Sequence, residues 1–195
     1  MMAHRHRKPH FTVREIVLLA LLAALIVVTK MVLRMPIRVP GHSGVLWMAA
    51  LVIGRGLVKR PWAGTMLGFV SGVLAVLFVG GAEGPLLWVK YLAPGMVLDL
   101  IDVLIPIGLE DRFLGTLAGA IANCAKLLSS TIIALLMGLD AGFLVVGLGA
   151  SAISHAFFGG LGGWLGSYLL RRLGPILRGP STAEVPIDTE MRMGA

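Results

Sequence analysis

Two polar residues in the middle of a long apolar run, Asn123 and Lys126, are the best candidates for binding a charged ligand. Their three-residue spacing puts both on one side of a helix. An ammonium group inside such a run is costly unless it is paired or hydrated, and therefore marks a functional site by default. Two interpretations are open: Lys126 pairs with Asp99, or it neutralises an anionic group of a bound molecule.

The preceding apolar run carries its own charged residues. Asp99 and Asp102 lie three residues apart near its end, and we expect Asp102 to be exposed there. Asp99 should lie deeper, where an unpaired carboxylate is unfavourable. At the start of the run, Trp88 and Tyr91 flank Lys90. They predict either a snorkelling lysine beside interfacial aromatic rings or a cation with stacking surfaces in an outward-facing pocket.

His155, with Ser151 and Ser154 beside it, occupies the middle of the last apolar run. It is interpreted either as a hydrogen-bond partner between helices or as a ligand contact. Segment 34–47 reads RMPIRVPGHSGVLW and is richer in hydrogen-bonding groups than a simple connection needs. We expect it to cap a substrate site. Its candidate binding residues are Arg38, His42, Ser43 and Trp47.

Gly41-His-Ser-Gly44 also matches the Gly-x-Ser-Gly of intramembrane serine proteases, with His155 as the base. Nucleophile activation needs the two side chains within hydrogen-bond reach. Ser43 is predicted at the outer edge of the membrane and His155 near its middle, so this chemistry is disfavoured. The sequence contains no Walker A motif and no His-Glu-x-x-His zinc motif.

These residues lie within six apolar runs that fill most of the 195-residue chain: 14–34, 44–58, 62–80, 86–106, 113–137 and 142–170. Hydrophobic residues make up 57% of the chain and charged residues 14%. A bilayer core takes about 20 helical residues to cross. The sequence predicts an all-α polytopic membrane protein with six transmembrane helices in one bundle. We expect residues 1–13 to form a basic cytoplasmic N-terminus, residues 14–172 the transmembrane substrate-binding domain, and residues 173–195 a disordered cytoplasmic tail.

The net charge of +7 does not indicate a nucleic-acid partner, because the basic residues flank the apolar runs. Six spans put both termini on one side, together with most of these residues, whereas the other side carries only Lys30, Arg34 and Arg38. The positive-inside rule predicts cytoplasmic termini and a multi-pass cell-membrane protein. The basic residues predicted on the cytoplasmic side are Arg5, Arg7, Lys8, Arg14, Arg55, Lys59, Arg60, Arg112, Arg171, Arg172, Arg178 and Arg192.

Small residues recur at four-residue spacing, a pattern that lets helix backbones approach closely in lipid. We expect the glycines of this kind to pack helices together within the bundle. They are Gly64, Gly68 and Gly72, then Gly115 and Gly119, then Gly159 and Gly163. Ala20 and Ala24 form a similar face on the first helix.

Over residues 10–175 the chain resembles the substrate-binding (S) components of energy-coupling factor (ECF) transporters, which import vitamins. The likeness lies in the length, six helices, cytoplasmic termini, a long first outer loop and the Ala20-xxx-Ala24 face. It implies a cavity in the outer halves of the later helices, capped by the first outer loop. The implied cap residues are His42, Ser43 and Trp47. The implied pocket residues are Trp88, Lys90, Tyr91, Asn123, Lys126 and His155.

The resemblance further implies that Ala20 and Ala24 dock on a membrane coupling subunit that works with two cytoplasmic ATPases. The chain itself would then be no enzyme and need no cofactor. Outer cations and aromatic rings hint at a vitamin-like ligand that is anionic and contains a flat ring. The alternatives are a stand-alone proton-coupled transporter with Asp99, Lys126 and His155 as a relay, an intramembrane enzyme using Ser43 and His155, and a scaffold protein embedded in lipid.

Overall fold

The computed structural model is all-helical over the residues that it describes, 11–32, 44–80, 83–105 and 107–178. The predicted all-α class and the six helices are confirmed, and a single turn of 3₁₀ helix, Gly84–Leu86, precedes the fourth. The helices are α1 (Val13–Val32), α2 (Gly44–Leu57), α3 (Ala63–Phe78), α4 (Leu87–Leu104), α5 (Arg112–Leu136) and α6 (Ala141–Arg178).

The six helices differ widely in length. Helices α2 and α3 have 14 and 16 residues, fewer than the roughly 20 that a perpendicular crossing of a bilayer needs. Helix α6 has 38 residues, which at 1.5 Å per residue is about 57 Å. It ends at Arg178, so it takes in residues 173–178 of the segment predicted as a tail. An element this long must tilt in a bilayer or extend beyond it.

Basic residues gather at one end of the bundle, which we call the basic end. The guanidinium of Arg14, at the start of α1, donates a hydrogen bond to the carbonyl of Leu177, at the end of α6. Arg60, between α2 and α3, donates to the carboxylate of Glu15 on α1 over 2.9 Å. These contacts bring the start of α1 to the ends of α2 and α6, as expected if successive helices alternate in direction.

Large apolar side chains cover the outward face of the bundle. Leu21, Phe113 and Ile153 are 65%, 80% and 74% exposed. Two helices, Val13–Val32 and Arg112–Leu136, are long and apolar enough to span a bilayer by length and composition. A soluble protein rarely exposes continuous apolar surface on this scale, whereas lipid tails accommodate it.

Three glycines of α3 face α4 and bring the two backbones into contact. A Cβ atom built on Gly68 would lie 2.5 Å from the carbonyl oxygen of Tyr91, and one on Gly72 2.7 Å from that of Trp88. Gly64 makes the same kind of approach one turn earlier. Real Cβ atoms do not come this close to a carbonyl oxygen, so only glycine permits this packing distance.

Helices α5 and α6 pack through glycines on both partners. A Cβ atom built on Gly119 would lie 2.4 Å from the carbonyl oxygen of Gly159 and 2.7 Å from the Cα of Gly163. A Cβ built on Gly163 would in turn clash with the carbonyl of Gly115. The expectation that the repeated glycines pack helices within the bundle is therefore confirmed for α3, α5 and α6.

A buried arginine joins three helices near the basic end. Arg55 of α2 is only 1% exposed. Its Nε lies 2.5 Å from Oδ1 of Asp99 and its Nη2 lies 2.5 Å from Oδ2 of Asp102, both on α4. Its Nη1 donates to the carbonyl of Val58 over 3.2 Å. The guanidinium thus faces two carboxylates placed one helical turn apart.

The Asp99 carboxylate also caps the start of α3. It accepts hydrogen bonds from the backbone N–H groups of Gly64 (3.1 Å) and Thr65 (2.6 Å) and from the Thr65 hydroxyl (2.7 Å). The first N–H groups of a helix have no partner within it, so this carboxylate satisfies them. The interpretation that Asp99 pairs with Lys126 is therefore wrong. Asp102, expected to be exposed, is held by Arg55, with its side chain 16% exposed.

Replacing Gly68 by alanine should push α3 away from α4, because the new methyl group would meet the Tyr91 carbonyl. We expect a loss of about 1–3 kcal/mol in the free energy of unfolding. The measurement is unfolding in mixed micelles followed by circular dichroism. Gly149→Ala is the matched control, since nothing lies within 4 Å of a Cβ built there. Equal stability of the two variants would contradict the packing assignment.

Replacing Asp99 by asparagine should leave the buried Arg55 with one carboxylate instead of two. Breaking a buried ion pair from one side typically costs about 3–5 kcal/mol. The same unfolding measurement checks this loss. The control is Glu110→Gln, because Glu110 pairs with Lys59 at 3.3 Å on the exposed surface, where such pairs contribute about 0–1 kcal/mol. Similar losses in both variants would argue against a special role for the buried network.

Candidate functional site

Two aromatic rings from different helices meet inside the bundle, away from the basic end. Trp47 lies in the first turn of α2 and Tyr91 in the second turn of α4. Their ring centroids are 5.9 Å apart with an interplanar angle of 59°. Both residues are at least 95% buried. The pair supplies a large and rigid apolar surface at the point where α2 and α4 begin.

Lys126 of α5 lies against this ring pair. Its Nζ is 4.7 Å from the centroid of Trp47, within the range of a cation–π interaction. Among the residues that the structure describes, Lys126 forms no ion pair with a carboxylate. Its amino group therefore contacts the tryptophan ring, and no acidic side chain in the described part of the chain pairs with it.

Asn123, one turn before Lys126, is fully buried. Its Nδ2 donates to the carbonyl of His155 on α6 over 2.8 Å, and a Cβ built on Gly44 would lie 2.8 Å from that nitrogen. Within the described residues, neither Oδ1 of Asn123 nor Nε1 of Trp47 has a hydrogen-bond partner, although both atoms are buried. Buried polar atoms are normally paired. We call Trp47, Tyr91, Asn123 and Lys126 the aromatic–lysine cluster.

Further cations surround this cluster. Lys30, at the end of α1, and Lys90 of α4 both lie within electrostatic range of Lys126, as does one carboxylate, Glu83. Lys90 pairs with Glu83, with side chains 12% and 30% exposed. Of these groups, three are positive and one is negative. Among the described residues, lysines therefore outnumber carboxylates around the cluster, an arrangement that suits an anionic ligand group.

The His155 ring is oriented by its own helix. Its Nδ1 lies 2.8 Å from the carbonyl oxygen of Ser151. Because a carbonyl can only accept, Nδ1 carries the hydrogen, and in the neutral ring Nε2 is left as an acceptor. The ring lies within electrostatic range of Lys126. His155 thus contributes its carbonyl to Asn123 and places its ring near the cluster.

The remaining predicted binding residues do not all converge. Trp88 packs edge-to-face against Phe69 of α3, with centroids 6.0 Å apart, rather than joining the ring pair of the cluster. Arg38, His42 and Ser43 lie outside the described residues, so their role in a cap stays a prediction. Across the described ranges, no three His, Cys, Asp or Glu side chains come together in a way that could hold a metal ion.

The predicted docking alanines occupy the outward face of α1. Ala20 and Ala24 are both exposed. Ala23, between them in sequence, is fully buried against the bundle. The exposed pair lies one turn apart and forms a face of small residues on α1 that the other described helices leave uncovered.

Sequence reasoning missed the role of Arg55, which it treated only as a marker of topology. Two features of the sequence could have indicated this role. Arg55 lies between Gly54 and Gly56 inside an apolar run, and Asp99 and Asp102 are spaced so that both can bind one guanidinium. It also missed Glu83 as the partner of Lys90. Glu83 lies in the break between two apolar runs, where the helical spacing of residues cannot predict which side chains meet.

No protein-family profile matches the sequence, and no curated protein matches it significantly. A search of solved structures finds a similar one, described as "Crystal structure of an S-component of ECF transporter". The two share 21% sequence identity with a TM-score of 0.64, and the alignment covers 87% of this chain and 90% of the other. The chain therefore has the fold of an ECF-transporter S component.

Proposed function

We propose that the chain is the membrane substrate-binding subunit of an ECF-type importer. It captures a vitamin or related micronutrient from outside and hands it to an ATP-driven coupling module. A fold by itself does not establish a function. The observation that carries the proposal is the aromatic–lysine cluster, in which buried polar atoms without partners lie beside a lysine that has no acidic partner among the described residues.

The chemistry of the cluster supports an anionic ligand with a flat ring. Trp47 and Tyr91 offer apolar ring surface, and Lys126 offers a cation next to it. Nε1 of Trp47 is a hydrogen-bond donor, and Oδ1 of Asn123 is an acceptor. A ligand with one carboxylate or phosphate and one polar ring edge would satisfy all of these groups at once.

Two features favour a binding subunit over the rival functions. A proton relay through Asp99, Lys126 and His155 needs contiguous groups, but Asp99 is held by Arg55 and by the start of α3. A scaffold has no use for buried polar atoms without partners, which lower stability. In this proposal ATP hydrolysis belongs to partner subunits, and the chain itself catalyses no reaction.

The primary test is native mass spectrometry of the gently purified protein, followed by thermal-shift assays with a vitamin panel. We expect a bound molecule of vitamin size, or a shift with one anionic member of the panel. A protein that is empty and unresponsive to every vitamin would overturn the proposal. Uptake by the isolated chain without an ATPase, abolished by uncouplers, would favour the stand-alone transporter instead.

Replacing Lys126 by methionine should weaken binding of that ligand. Loss of one hydrogen bond to a charged group corresponds to about 1.5–3 kcal/mol, roughly 10- to 150-fold in Kd. Isothermal titration calorimetry checks this effect. The control is Lys59→Met, which removes an equal charge from an exposed side chain at the basic end. Unchanged affinity in the Lys126 variant would remove this residue from the site.

Replacing both Ala20 and Ala24 by leucine should abolish assembly with the coupling subunit, because the larger side chains hold the partner helix away from α1. Ligand affinity should not change, since both alanines point away from the bundle. Co-purification with the coupling module checks the first effect and calorimetry the second. Ala150→Leu, at an exposed position of α6, is the control. Normal co-purification of the double variant would refute the docking assignment.

A further inference from the structure

A second site, unrelated to the aromatic–lysine cluster, lies on the outward face between α5 and α6. A groove of about 560 Å³ runs along the two helices, and its lining is almost entirely apolar. Phe113, Leu117, Phe157, Leu161 and Trp164 form most of it, and all five are at least 40% exposed. The groove extends over residues 113–120 of α5, which is about 10 Å of helix.

Arginines meet at the basic end of this groove. Trp164, in the groove wall, stacks on Tyr168, with centroids 6.0 Å apart and an interplanar angle of 13°. Arg112 of α5 and Arg172 of α6 each place a guanidinium carbon 5.6 Å from the centroid of that same Tyr168 ring. One tyrosine thus holds two positive side chains from different helices directly below the apolar groove.

The two arginines are not neutralised by other side chains of the described ranges, where neither forms an ion pair with a carboxylate. Asp111, next to Arg112, is engaged instead as the cap of α5 through the N–H of Leu114, at 2.9 Å. Both guanidinium groups lie against the same tyrosine ring. An anionic group bound beside that ring could form charge-assisted hydrogen bonds with them.

We propose that this surface binds one anionic phospholipid, with its phosphate at Arg112 and Arg172 and an acyl chain in the groove between α5 and α6. The parts of this surface follow the same order as the parts of a phospholipid. The two arginines would contact the phosphate, the Trp164–Tyr168 ring pair would lie beside the polar part of the lipid, and the apolar groove would hold the acyl chain. Basic pockets between transmembrane helices on the cytoplasmic side bind the head groups of anionic lipids. The lipid would hold α5 against α6 at the end where α6 extends furthest.

The test places the full chain in nanodiscs of equal parts phosphatidylglycerol and phosphatidylcholine and counts retained lipids by native mass spectrometry. The wild type should retain phosphatidylglycerol in preference to phosphatidylcholine. Arg112→Gln with Arg172→Gln should reduce that preference roughly 30-fold, since each basic residue near the membrane surface contributes about 1 kcal/mol. The control is Arg14→Gln with Lys59→Gln, which removes the same net charge from the basic end and should leave the preference intact.

A second variant separates the groove from the headgroup site. Ala156→Phe fills the groove without touching the arginines, and should release the lipid. Equal loss of preference in the Arg14/Lys59 control would overturn the proposal in favour of a bulk charge effect. Retention by the Arg112/Arg172 variant would also overturn it. Competition by inorganic phosphate alone, with no effect of Ala156→Phe, would show an anion site rather than a lipid site.

Discussion

The bundle depends on one buried guanidinium. Among the described residues, Arg55 is the largest fully buried side chain, and its guanidinium pairs with the carboxylates of Asp99 and Asp102 of α4. Asp99 also accepts hydrogen bonds from the first N–H groups of α3. The network of Arg55, Asp99 and Asp102 therefore connects α2, α3 and α4 near the basic end. A charged group in an apolar bundle is tolerated only when such partners are in place. The orientation of these three helices is therefore strongly constrained near the basic end.

The opposite half of the bundle is built differently. Near the basic end the buried Arg55 is ion-paired with two carboxylates, although its Nε makes no well-aligned hydrogen bond. In the aromatic–lysine cluster, two buried polar atoms have neither a hydrogen-bond nor an ion-pair partner in the described residues. Lys126 there faces a ring rather than a carboxylate. A protein whose helices are fixed at one end can keep unsatisfied groups at the other end, and in the proposed function a ligand would supply the missing interactions. Rigid placement of such groups lowers the entropic cost of binding.

Glycine contacts connect the two halves. The α3–α4 pair touches through its backbones over about two turns and the α5–α6 pair over about one turn, so neither pair can slide or rotate without a clash. In lipid this close van der Waals contact replaces the hydrophobic drive that assembles soluble proteins. Tyr91 illustrates the link: its carbonyl touches Gly68 of α3, while its ring meets Trp47 of α2. The packing of α3 thus helps to position one wall of the candidate site.

The sequence by itself determined the number, order and approximate bounds of the helices, because each apolar run is interrupted by glycine, proline or charged residues. It also determined that the spaced glycines pack inside the bundle, and it pointed to Asn123, Lys126 and Tyr91. The tertiary structure decided which groups meet. Asp99 forms an ion pair with Arg55 rather than with Lys126. Trp88 packs against Phe69, and Lys90 forms an ion pair with Glu83. Spacing along one helix fixes which residues share a face. It carries no information on which neighbouring helix that face will contact, since this depends on the packing of the whole bundle.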